Sequence, residues 1–204
     1  MRQDPHARPS RRWIQTDEAE DVAASVRHVL RCRAMVNQDP HAWKWVALGL
    51  HAALQGTLVC HLFTAASPLG VVTGKHAQEW VDYFEASRAD SERRPPKARL
   101  LDLSELIKLA RKPGSAGDGR SIGLVRVTDA ELVWLRLFHT KVRNQFVHFE
   151  PMGWSVEVLG LSALSALIAR NIDDALQVGW AFRHKNGEWH AALEAQLAVL
   201  ANRP

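Results

Sequence analysis

Cysteine is scarce: Cys32 and Cys60 are the only two in 204 residues, and they stand far apart. That excludes a disulfide-stapled secreted scaffold and a zinc site built on thiolates. The opening Met1–Pro5 leads into no apolar run, so no secretory leader is expected and the protein reads as cytoplasmic. No repeat of roughly 20 to 50 residues is present, which excludes a solenoid. There is no His-Glu-x-x-His pair for a metal-bearing helix and no Gly-x-Ser-x-Gly elbow for a serine nucleophile. The glycine-rich stretch 113–119 lacks the Gly-Lys-Ser/Thr ending of a phosphate-cradling loop, and it reads as a mobile surface connection. No metal and no nucleotide cofactor is expected. Asp, Glu, Lys and Arg are absent from Trp45 to Gly74. A membrane span would need such a run, but His51, Gln55, His61 and two glycines interrupt it. A central helix buried on nearly all sides explains it better than a membrane-associated protein does.

What is present is an ordinary globular balance, 47% hydrophobic and 24% charged. The net charge is +4, with a pI near 9.4. Residues 1–12 carry four arginines against Asp4, a net of +3, which leaves about +1 for the remainder. The basic excess is therefore a Pro-containing N-terminal arm over 1–15, expected to be flexible, ahead of a single all-helical domain over 16–204.

Helix signals follow in series. Asp17 with Glu20 three residues on starts a helix that runs to about Asn37. Asp39-Pro40 resets the chain before the uncharged helix, His41 to about Ala65. A third helix, Lys75 to about Arg88, is expected to turn Trp80, Val81 and Phe84 inward, and a short one spans Leu103 to Lys112. Thr128-Asp129-Ala130-Glu131 is a capping box opening the fifth helix, which Pro151 stops. Trp154–Val158 alternates and reads as extended. Leu161 to Ala181 carries leucine and isoleucine at three- and four-residue steps. Asn186-Gly187 turns the chain into a last helix, Glu188 to Ala201. The expected fold is all-α: a bundle of four to five core helices with short accessory helices. Trp43, Trp45, Trp80 and Trp134 are assigned to its core, as is Cys60.

Ten histidines invite a metal reading, but no ligand spacing supports one. His51 and His61, ten residues apart on one helix, face directions roughly 80° apart and read as satisfied core or rim residues. One constellation carries chemistry: Arg143-Asn144-Gln145-Phe146-Val147-His148, late in the fifth helix. Asn144 and His148 are four apart and share a face; Arg143 is long enough to bend into the same groove, while Phe146 and Val147 face the core. An imidazole can take the proton of a ribose 2′-hydroxyl or return one to the leaving oxygen. A guanidinium holds the phosphate and stabilises charge building on its oxygens. Asn144 is placed to fix the imidazole. The adjacent asparagine carries the specificity, since Arg-x4-His alone arises by chance about once in such a chain. The residues also admit a bland account, with His148 a cation complementing the helix dipole.

Arg143-Asn144-x-x-x-His148 late in a bundle helix resembles the signature of the HEPN superfamily. The following residues, Phe149 to Val158, resemble the corresponding segment of a group of bacterial HEPN-like proteins. The resemblance implies a bundle of four or five helices and metal-independent cleavage of RNA to a 2′,3′-cyclic phosphate and a 5′-hydroxyl. It implies a homodimer in which two motifs face one cleft, with Arg143 on the scissile phosphate, His148 as acid and base, and Asn144 positioning it. Many such proteins are toxins or defence effectors beside a nucleotidyltransferase-like antitoxin. Others are non-catalytic scaffolds that bind RNA, nucleotides or protein partners.

Overall fold

The computed structural model describes residues 14–64, 70–90, 92–97, 99–148, 153 and 155–202. Most of the basic arm therefore lies outside the described residues, as do 149–152 and 154 of the segment after the motif. The fold is all-α, and no strand occurs among the described residues; one isolated antiparallel bridge joins Val72 to Leu100.

Helix α1 (Glu18–Met35) starts where its cap signal stands, with the Asp17 carboxylate accepting from the Glu20 amide at 2.8 Å. Helix α2 (Ala42–Leu62) lies along it and is the axis of the bundle. Its Val46, Leu50, Leu54 and Leu58 are wholly buried against Val22, Val26 and Val29 of α1 and the surrounding helices. Gly49 and Gly56, seven residues apart, let the two backbones approach. A Cβ at Gly49 would stand 2.7 Å from the Val29 side chain, and one at Gly56 2.8 Å from Val22. Among the described residues α2 alone has the length and apolarity to cross a membrane, and 67% of its apolar window is buried inside the protein. Burial is not complete: Trp45, expected in the core, is 50% exposed. It stands near the start of α2, where its ring meets His28 edge-on and Lys44 from above.

Helix α7 (Leu159–Val178) packs on α2 with Leu164, Leu167, Ile168, Ile172 and Leu176 buried. It stops three residues before the expected Ala181, because Gly179 takes a left-handed conformation (φ 83°) that closes the helix. Helix α8 (Gly187–Ala201) is capped by Asn186, as the turn signal predicts. It completes the layer against α1, where Arg33 reaches the carbonyls of Leu200 and Asn202 at 2.7 and 2.8 Å. Helix α4 (Leu103–Ala110) packs on α2 and on α5 (Asp129–Leu137). Between α4 and α5 the chain is fastened by buried Asp174, which accepts the Arg126 amide at 2.8 Å and pairs with its guanidinium.

Two further expectations are corrected. Helix α3 (Gly74–Ser87) buries none of its residues fully. Trp80, Tyr83 and Phe84 instead pack on one another edge-on or tilted, with ring centroids 5.5–5.7 Å apart, as a half-buried satellite outside the main core. The glycine-rich stretch 113–119 is not a loose connection. Its Gly117 amide donates to the His61 carbonyl at 2.8 Å, Ala116 is buried, and the Ser115 hydroxyl meets His61 Nε2 at 3.0 Å. The orphan carbonyls at the C-terminus of α2 supply the anchor, which composition does not reveal.

Candidate functional site

Helix α5 (Asp129–Leu137) opens on a complete capping box. The Thr128 hydroxyl accepts from the Glu131 amide at 3.2 Å, and the Glu131 carboxylate accepts from the Thr128 amide at 2.9 Å. The helix does not continue regularly into the motif. Phe138–Arg143 forms a π-helical turn, followed by the four-residue α6 (Asn144–Val147). Such turns insert a residue into the helical repeat and recur at functional sites. Phe138 anchors the turn in the core, and the turn packs on α2.

The structure brings Arg143 and Asn144 together. Arg143 Nη1 donates to Asn144 Oδ1 at 2.9 Å, and both side chains are half-buried. His148 ends α6 with extended backbone, its amide donating to the Asn144 carbonyl at 2.8 Å and its ring exposed. Asn144 thus holds Arg143 with its side chain and His148 through the backbone. Its amide oxygen faces the guanidinium where the imidazole was expected. Phe146 is half-buried against the core as expected, but Val147 is 40% exposed. The reason is local: α6 lies beyond the π turn, and its main packing among the described residues is on that turn.

Two further residues belong to the site and escaped the sequence reading. His139, in the π turn, stacks on His51 of α2 with centroids 5.0 Å apart and planes 19° from parallel. Nε2 of His51 and Nδ1 of His139 lie 2.8 Å apart, so one ring donates and the other accepts. Burial drives the His51 pKa down to about 3, and the nearby Arg143 charge and His139 push the same way. His139 is lowered too, by burial and then by Arg143. The lowered values leave the pair uncharged at neutral pH, within reach of the Arg143 charge. His139 precedes Arg143 by four residues, a spacing that places both on one side of a helix. That signal was available; the partnership with His51, 88 residues away, was not.

The other histidine of α2, His61, is wholly buried and bonded to Ser115, and burial lowers its pKa to about 4. Cys60 is half-buried and packs against the core, and it also forms part of a cavity wall. Among the described residues no cluster of three or more His, Cys, Asp or Glu side chains is arranged to hold a metal. The set at 143–148 can instead bind a phosphate on Arg143 and exchange a proton through exposed His148. No family model, no curated protein and no solved structure matches the chain.

Proposed function

We propose that the protein is a metal-independent endoribonuclease of HEPN type, acting as a homodimer in the cytoplasm. One observation carries the reading. In an all-α chain, a half-buried arginine bonded to its neighbouring asparagine and a solvent-exposed histidine five residues on occupy the end of the α5–α6 helical segment. In the proposed reaction an unprotonated imidazole takes the proton of the ribose 2′-hydroxyl. The 2′-oxygen attacks phosphorus, the bond from phosphorus to the 5′-oxygen breaks, and an imidazolium returns a proton to that leaving oxygen. The products are a 2′,3′-cyclic phosphate and a 5′-hydroxyl. Arg143 neutralises charge on the non-bridging oxygens, and Asn144 keeps the guanidinium in place. A second copy supplies the second imidazole, so that one acts as base and the other as acid. A role as a toxin or defence effector, held in check by a nucleotidyltransferase-like partner, belongs to the same proposal.

One observation favours a second reading, a non-catalytic HEPN-like scaffold that binds RNA, nucleotides or a partner: the Asn144 oxygen is engaged by Arg143 and not by the imidazole. The deciding experiment is incubation of a mixed tRNA and mRNA pool with the protein in EDTA, wild type beside His148→Ala. Cleavage by wild type alone, with cyclic-phosphate ends, is the expected result. Retained RNA binding with no cleavage by a folded dimer would overturn the catalytic reading in favour of the scaffold.

A further inference from the structure

We propose that the cavity bounded by the start of α1, the end of α2 and the turn between α7 and α8 binds a small amphiphile with an apolar body and a single anionic head, the head seated on Arg183. The cavity encloses about 660 Å³, within the range of roughly 300–1,000 Å³ typical of small-molecule sites. Its wall is apolar: Val59, Cys60, Phe63, Val71, Leu100 and Phe182 contribute to it. Burial pushes the Cys60 thiol up to about 12, the charges of Glu18 and Asp17 add to the shift and Arg183 opposes it, so the sulfur stays neutral and adds to the apolar wall.

The polar groups at the mouth determine which ligand fits. Lys185 is satisfied, its ammonium 2.8 Å from both Asp17 and Glu20. Arg183 differs. Its guanidinium carbon lies 3.6 Å from the Trp180 ring centroid, and Nη1 donates to the Trp180 carbonyl at 3.1 Å. Trp180 is in turn fixed by its indole N–H, which donates to the Phe63 carbonyl at 2.9 Å. The guanidinium is therefore held rigidly over an aromatic face, and no carboxylate comes within ion-pair distance of it among the described residues. The acid left at the rim, Glu18, is exposed in the first turn of α1, where solvent screens its charge. A pre-organised, unpaired, half-buried guanidinium beside an apolar cavity matches a carboxylate or phosphate head with a hydrocarbon tail.

The test uses the full chain with decanoate, decyl phosphate, decanol and decylamine, each below its micelle concentration, followed by calorimetry. Decanoate and decyl phosphate are expected to bind more tightly than decanol, and decylamine least. Arg183→Gln is expected to weaken the two anions about tenfold, the scale of one charge-assisted hydrogen bond, while leaving decanol unchanged. Cys60→Phe, which fills the wall, is expected to abolish all binding. Should that variant fail to fold, Arg183→Gln, checked by circular dichroism, decides alone. Equal binding of decylamine and decanoate, undiminished decanoate binding by Arg183→Gln, or no binding of any probe would overturn the proposal. RNA cleavage is a separate readout that Arg183→Gln leaves intact, so this site and the ribonuclease reading stand or fall independently.

Discussion

Acid should destabilise this protein at pH values where carboxylates have not yet begun to titrate. His51 and His61 are both buried, and their pKa values are lowered to about 3 and about 4 in the folded chain. In the unfolded chain each titrates near 6.5. Below that pH the unfolded state takes up protons that the folded state refuses, so stability falls as pH falls and levels off only near the folded pKa values. At pH 5 each ring lies about 1.5 units below its unfolded pKa, which amounts to about 2 kcal/mol, or about 4 kcal/mol for the two. That is a large part of the roughly 5–15 kcal/mol that holds a domain folded. The lowered carboxylates, Asp17, Asp118 and Glu131, act the same way but at lower pH, so the interval from 6.5 to 5 belongs to the histidines. The assay is urea unfolding followed by tryptophan emission at pH 7.5, 6.5, 5.5 and 5. His51→Gln and His61→Gln should each lower stability at pH 7.5 and each remove about 2 kcal/mol of the acid-dependent loss. A flat wild-type profile, or glutamine variants with undiminished acid sensitivity, would mean that these rings are protonated in the fold, and the burial argument would be refuted.

Other perturbations probe the remaining links. His148→Ala and Arg143→Ala should each abolish RNA cleavage, with the exposed His148→Ala leaving the melting temperature within about 2 °C of wild type; unfolding of both variants would assign the motif a purely structural role. Gly49→Leu should cost about 2 kcal/mol or more, because even its Cβ would stand 2.7 Å from the Val29 side chain between α1 and α2; unchanged urea midpoints would refute that close packing. Thr128→Ala removes the hydroxyl that caps α5 and should cost about 1 kcal/mol, read from the same denaturation curves.

Helix boundaries were legible wherever a cap is written in local sequence. Asp17, Thr128 and Asn186 each accept the amide three residues on, because capping depends on side chains within one turn. The buried stripe of α7 was legible for the same kind of reason, since its period reports one face. The end of α7 at Gly179 had a local signal too, a glycine after the last periodic residue, which the longer apolar pattern obscured.

Long-range partners were not legible. Nothing near Gly117 says that its amide will meet the carbonyl of His61, and nothing near Trp45 says that no helix will cover it. The same division runs through the site. Sequence alone placed Arg143, Asn144 and His148 late in the helical segment that the Thr128 cap opens, because their spacing and the cap are local. Tertiary structure decided that Arg143 takes the Asn144 oxygen, that a π turn ends on Arg143, and that His51 pairs with His139 within reach of the Arg143 charge. Which histidine is buried and which reaches solvent depends on what packs above it, and packing is set by residues far away in the chain.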